Sequence, residues 1–176
     1  MMIYSNKNMD ENNLNDLISV LLYEAEILDN HEYDKWTDML TNDIEYKMPV
    51  RITREKEEKQ NKLQLSKSQY HFIENKESIL MRVNRYKNEY AWSENPPSRT
   101  KHFITNVRIE KINETEAIVK SYVLFYRSRR DVAYPEILAY ERLDKFRYED
   151  NRWKLAKRDI IPENSVLPLM NLSNFL

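Results

Sequence analysis

Two adjacent prolines divide this sequence into two kinds of chain. They sit in the run Ala91-Trp92-Ser93-Glu94-Asn95-Pro96-Pro97-Ser98-Arg99-Thr100-Lys101-His102. Pro97 pushes Pro96 out of the helical region and Pro96 does the same to Asn95, so no helix passes through. Upstream, apolar residues recur mainly at helical spacing. Downstream, Phe103-Ile104-Thr105-Asn106-Val107-Arg108-Ile109 alternates as a half-buried strand does. On chain physics alone the run is a stiff connector between a helical half and an extended half.

Leu14, Leu17, Ile18, Leu21, Leu22, Ala25 and Leu28 share one face at 3.6-residue spacing, which predicts an amphipathic helix over 13–30. Asn13, with Asp16 three residues on, is placed to cap it. A short helix over 32–40 turns Trp36, Met39 and Leu40 inward, and Ile44, Tyr46, Met48 and Val50 alternate as a strand. Residues 51–70 are mostly charged or amide-bearing and read as a solvated loop or arm. From Phe72 to Tyr90 a stripe of Ile79, Leu80, Val83, Tyr86 and Tyr90 predicts a further helix. Strands follow near 102–112, 116–129, 137–148 and 152–161, joined by short turns containing Asn or Asp. Helices first and a meander after them predict an α+β fold, its helices packed on one face of a curved antiparallel sheet. Neither repeats nor a linker break residues 1–176, which read as one domain.

Composition removes several classes of function. Lys and Arg number 28 against 29 Asp and Glu, and a net charge of −1 offers no electrostatic footprint for nucleic acid or an anionic membrane. No stretch is apolar for long enough to cross a bilayer, and the N-terminal residues lack the apolar core of a signal peptide. Cysteine is absent, which rules out disulfides and thiolate metal sites and suits a reducing cytoplasm. Glycine is absent too, so positive-φ turns fall to Asn or Asp, with Asn113 and Asp150-Asn151 best placed to supply them. The three histidines, His31, His71 and His102, show no paired metal-ligand spacing, and without glycine there is no phosphate-cradling loop.

The C-terminal segment is unusually apolar. Val166, Leu167, Leu169, Met170, Leu172, Phe175 and Leu176 would fray and attract aggregation if left bare, so either the domain itself or a neighbouring subunit covers them. With Trp92, Tyr122 and Tyr126, this segment is the candidate assembly surface.

Several segments, in order, resemble one family. They are Leu21-Leu22-Tyr23-Glu24-Ala25-Glu26-Ile27-Leu28-Asp29 with Trp36, Leu40, Asp43 and Met48-Pro49-Val50-Arg51; the Pro96-Pro97 junction; Tyr126-Arg127-Ser128-Arg129; Trp153-Lys154-Leu155-Ala156-Lys157-Arg158-Asp159; and Asn171-Leu172-Ser173-Asn174-Phe175-Leu176. Their order and spacing, from Ser19 to the last residue, resemble the small (beta) subunit of aromatic-ring-hydroxylating dioxygenases. The resemblance implies a cone-shaped fold of the nuclear transport factor 2 or cystatin-like kind, and a non-catalytic structural role. It implies a large (alpha) partner subunit carrying a Rieske [2Fe-2S] cluster and a mononuclear iron, self-trimerisation within a hetero-hexamer, and electrons delivered by a ferredoxin and a reductase. No cofactor is expected in this chain, since a Rieske cluster takes two cysteines. Interface candidates are Trp92, Pro96, Pro97, Arg99, Tyr122, Tyr126, Leu172, Phe175 and Leu176. The chain departs from the family at Ala139, where glycine is frequent.

Asp29 and His102 suggest a reading from another class. Their placement is similar to the Asp–His pair of dehydratases and dehydrochlorinases built on the same cone, where a carboxylate orients an imidazole that acts as general base. The alternatives are therefore a self-sufficient lyase or isomerase using these two residues, or a module that binds a small ligand in the cone without chemistry. If instead the cone is filled, Tyr46, Phe103, Tyr122 and Trp153 are bulky enough to fill it.

Overall fold

The computed structural model describes residues 11–53, 64–87 and 95–176. Helices α1 (Glu11–Asp29), α2 (Tyr33–Asp38) and α3 (Lys76–Tyr86) pack against a curved sheet of six strands. The strands are β1 (Leu40–Arg51), β2 (Leu65–Glu74), β3 (Arg99–Ile112), β4 (Glu116–Ser128), β5 (Glu136–Glu149) and β6 (Arg152–Pro162). Their order is β2-β1-β6-β5-β4-β3, so β2 and β3 are the edges. The expected α+β fold is the one observed, with one amendment to the sheet. The pair β1–β6 is parallel while every other pair is antiparallel, because the last strand returns to lie beside the first.

Helix α1 begins at Glu11 and runs through Asn13, so Asn13 is not its cap. Its buried stripe is Leu17, Leu21, Glu24, Ile27 and Leu28, while Leu22 is turned outward. A glutamate on the buried stripe is the first sign that the interior is not purely apolar.

Within the segment expected to be a loop and then a helix, Leu65–Glu74 form strand β2 and Lys76–Tyr86 form α3, while residues 54–63 lie outside the described residues. The strand escaped notice because it is a sheet edge with only β1 beside it, and its register slips on either side of Pro49, which has no N–H to donate. Most of its side chains are half-buried or exposed, which erases the alternation that marks a strand. Asn75 separates the two elements. Its Oδ1 accepts from the Ser78 N–H at 3.0 Å while Ser78 Oγ accepts from the Asn75 N–H at 3.0 Å, a reciprocal cap that starts α3. The helix ends at Tyr86, and the stretch to Tyr90 lies outside the described residues.

Asp150 and Asn151 both have positive φ, 52° and 59°, and turn β5 into β6 as a type I′ hairpin does. Asn113 does not share that geometry. Its Oδ1 accepts from the backbone of Thr115 and Glu116 at 3.0 and 2.8 Å, so its side chain makes the turn. Ala139, where the family often has glycine, pairs with Leu124 in unbroken register, so no bulge is needed there.

Candidate functional site

Asp29 closes α1 and His102 opens β3, and the fold brings the two together. Asp29 Oδ1 lies 2.7 Å from His102 Nδ1, and Asp29 Oδ2 accepts from the His102 backbone N–H at 3.2 Å. Both side chains are buried, with Lys101 Nζ 3.6 Å from the same carboxylate. The other ring nitrogen, Nε2, faces the backbone carbonyl of Phe175 at 3.2 Å. Both neighbours are hydrogen-bond acceptors, and each ring nitrogen lies within hydrogen-bond reach of one of them. A general base needs its free nitrogen turned toward a substrate proton. Here the chain's own C-terminal segment occupies that position.

The same segment fills the space in front of the pair. The Phe175 ring is 1% exposed and lies 4.3 Å, centroid to centroid, from Trp36 and 5.4 Å from Tyr33. The Arg82 guanidinium sits over it at 4.2 Å, a cation–π contact that burial strengthens. Leu176 follows it inward. The Tyr46 hydroxyl donates to Leu176 O at 2.7 Å and accepts from the Leu176 N–H at 2.7 Å. Burial pushes the Tyr46 hydroxyl pKa up to about 12, which keeps it neutral and able to do both.

Arg82 and Arg127 clamp the segment along its length, and Arg158 donates to Leu176 O at 3.1 Å. Arg82 on α3 donates to the carbonyls of Leu172, Ser173 and Asn174 at 3.0–3.2 Å and pairs with Glu74 at 2.6 Å. Arg127 on β4 donates to the side chains of Asn171, Ser173 and Asn174 and to the Asn171 carbonyl, while its Nε donates to Glu136. Glu136 in turn accepts from the Met170 N–H at 3.0 Å.

Deeper in the cone lies a buried charge network. Arg158 donates to Glu24 at 2.7 and 2.9 Å and to Asp144 at 2.8 Å through two nitrogens. Arg142 approaches Glu24 at 3.4 Å and Asp144 at 3.7 Å, and the Trp36 indole donates to Glu24 at 2.9 Å. All four charged residues are at most 3% exposed, and their charges cancel. Burial alone raises the Glu24 pKa, but Arg158, Arg142 and the indole overcome it and bring the carboxyl down to about 2. Burial works against the Arg158 charge too, and the two carboxylates still hold its pKa above the ordinary value.

The outer face of the sheet has the opposite character. Phe103 on β3, Tyr122 and Leu124 on β4, and Ile137 on β5 are exposed, and cross-strand register sets Phe103 beside Leu124 and Tyr126 beside Ile137. Pro96, Pro97 and Arg99 are exposed at the start of β3, with Arg99 donating to Ser128 Oγ and the Arg130 carbonyl. Tyr126 and Leu172 are half-buried, and Trp92 lies outside the described residues. One expectation is corrected here: Phe103 and Tyr122 point out of the cone, leaving Tyr46 and Trp153 as buried fillers. Phe175 and Leu176 are buried within the domain. Among the described residues no group of three His, Cys, Asp or Glu is disposed to hold a metal ion, and no helix is long and apolar enough to cross a membrane.

The family described as "Ring hydroxylating beta subunit" matches residues 23–169. This chain belongs to that family. It is 35% identical over 158 residues to biphenyl 2,3-dioxygenase subunit beta of Rhodococcus jostii (strain RHA1), covering 87% of this chain and 83% of that one. It is 30% identical over 164 residues to benzene 1,2-dioxygenase subunit beta of Pseudomonas putida, covering 92% and 87%. The fold of this ring-hydroxylating beta subunit superposes on a chain of naphthalene 1,2-dioxygenase with a TM-score of 0.81 at 23% identity, covering 98% of this chain and 89% of that one. A putative scytalone dehydratase from Novosphingobium aromaticivorans has the same cone at a TM-score of 0.64, 17% identity and 89% coverage of each chain.

Sequence reasoning found Asp29 and His102 but missed Glu24, Arg82, Arg127, Arg142, Asp144 and Arg158. A signal was available for three of them. Leu138, Tyr140, Arg142, Asp144 and Phe146 share one parity of β5, and Val119, Ser121, Val123, Phe125 and Arg127 share one parity of β4. Charges on the apolar side of an alternating strand mark a buried polar site.

Proposed function

We propose that this chain is the non-catalytic structural subunit of a multicomponent aromatic-ring-hydroxylating dioxygenase. The observation that carries the reading is the self-filled cone. An Asp–His pair with its outward nitrogen on the Phe175 carbonyl, behind a buried Phe175 ring, leaves no place for a substrate at the base. Family membership supplies the rest. The chain acts as one domain, in the cytoplasm, beside a large (alpha) subunit that holds the Rieske [2Fe-2S] cluster and the mononuclear iron, fed by a ferredoxin and a reductase. A chain without cysteine cannot supply the thiolates of such a cluster. Three copies gather within a hetero-hexamer, and the exposed apolar side chains of β3, β4 and β5, with Pro96, Pro97 and Arg99 at the strand end, are the surface offered for assembly.

Co-expression with the large subunit followed by native mass measurement tests this. The expected result is a hexamer of three large and three small chains, with iron present only when the large subunit is there. A chain that stays monomeric beside the large subunit would overturn the proposal, as would a lyase or isomerase activity of the isolated chain lost on His102→Ala with the fold intact.

A further inference from the structure

We infer that residues 171–176 are a built-in ligand in a dormant site, and that this site is shaped for an aromatic ring carrying a carbonyl oxygen two carbons away. The site is defined by what holds Phe175. Trp36 and Tyr33 make the apolar walls, at 4.3 and 5.4 Å from the ring, and the Arg82 guanidinium covers the open face at 4.2 Å. His102 Nε2 meets the carbonyl at 3.2 Å, and Asp29 fixes the far side of that imidazole at 2.7 Å. These are the parts of a small-molecule pocket: aromatic walls, one cation over a π face, and a single oriented donor for an oxygen.

The way the segment is held differs from the way a strand or helix is held. Residues 171–176 belong to no helix or strand and make none of the sheet's ladder hydrogen bonds. Their backbone is held by side chains: Arg82 on three carbonyls, Arg127 on Asn171, His102 on Phe175, and Tyr46 and Arg158 on Leu176. Such a segment can leave while β4, β5 and β6 stay paired, whereas losing a strand would unpair its neighbours. An Asp–His pair pre-oriented at the bottom of the pocket does not require the segment for its own geometry, since the Asp29 contacts come from α1 and β3 alone. The inference concerns the chain by itself and does not depend on its assembly.

The test uses the full chain with Phe175→Ala, which removes the ring together with the aromatic and cation–π contacts that seat the residue 175 carbonyl, so that an added carbonyl can displace it from His102 Nε2. Hydrocinnamamide carries the phenyl ring, two-carbon spacing and carbonyl of Phe175, whereas toluene carries the ring alone. Calorimetric titration should show no binding of either to the unaltered chain. The variant should bind hydrocinnamamide at least about tenfold more tightly than toluene, the worth of one oriented hydrogen bond. The His102 ring signals in nuclear magnetic resonance should move with the amide and not with toluene. A folded variant that binds neither compound overturns the inference. Equal binding of both with His102 unmoved also overturns it, because the space would then be a packing void only. If Phe175→Ala does not fold, hydrogen exchange of the unaltered chain decides. The Leu176 amide should exchange well before the amides of β4 and β5, and exchange at the same rate as theirs would reject a segment that leaves by itself.

Discussion

The two faces of β3, β4 and β5 invert the usual distribution of polarity. The inner face carries Arg127, Arg142, Asp144 and, beside them on β6, Arg158, all at most 1% exposed. The outer face carries Phe103, Tyr122, Leu124 and Ile137, all more than 40% exposed. Inside, every one of those charges has an opposite charge or a set of carbonyls and amides within reach, so the interior tolerates one arrangement and few others. Outside, the apolar side chains lie side by side in register and none of the described residues covers them. The difference separates two tasks. The inner face fixes the shape of a single chain, and the outer face is the one we propose for assembly.

The inner face breaks hardest. Arg158→Met leaves Glu24 and Asp144 buried with only Arg142 between them, and removing one partner of a buried ion network costs about 3–5 kcal/mol. Urea unfolding at neutral pH should show that loss as a lower midpoint with unchanged slope. A loss below about 1 kcal/mol would mean that water, not arginine, stabilises the two carboxylates.

Acid probes the same face without mutation. The Glu24 carboxyl is brought from 4.5 down to about 2 in the folded chain. A depressed carboxylate stabilises the fold above its unfolded value and loses that contribution as pH falls through the folded one. Stability should therefore drop between about pH 4.5 and pH 2, by about 3 kcal/mol from this residue at 1.36 kcal/mol per unit. In Glu24→Gln the slope of stability against pH over this window should flatten. An identical slope in the two proteins would assign the acid sensitivity elsewhere.

Asp29→Ala is the milder cut. It strands the His102 backbone N–H and Nδ1 without their acceptor, which costs about 1–3 kcal/mol in a buried setting. Thermal melting should register it, and a melt unchanged from the parent would show that the pair contributes nothing to the fold.

How far the sequence reveals these faces depends on which force wrote the pattern. Alternation of apolar and polar residues set β3 to β6 and their turns, because one side of each strand is buried and the period is short. Edge strand β2 was hidden because neither side is fully buried and Pro49 interrupts its partner. Asp29 and His102 were legible through family likeness, but their contact with Phe175 was not, since it joins residues 73 apart in sequence through a segment with no periodicity. The two arginine clamps were illegible for the same reason. Arg82 binds carbonyls, which any sequence supplies, and Arg127 binds short polar side chains whose spacing follows no period. Of the apolar tail, Phe175 and Leu176 are buried by the domain and Leu167, Leu169 and Leu172 half-buried, while Val166 and Met170 stay exposed, a division that sequence alone does not give.

The outer face should show the smallest effect on the chain and the largest on its company. Leu124 lies between Phe103 and Ala139 across the strands, near the centre of the apolar surface. It is 42% exposed, so Leu124→Ser should change the stability of the isolated chain by no more than about 0.5 kcal/mol. In an interface the same side chain would be desolvated on both sides, and central apolar anchors carry most of an interface's energy. Sedimentation with the large subunit should then show the parent assembled and the variant dissociated, most clearly when Tyr122→Ser is added. Leu22→Ser is the control. Leu22 is 57% exposed on α1, on the far side of the molecule from this surface, and its loss should alter neither stability nor assembly. If Leu22→Ser dissociates the complex and Leu124→Ser does not, the helices and not the sheet carry the contact. The polarity inversion across β3 to β5 would then have to be explained within the single chain.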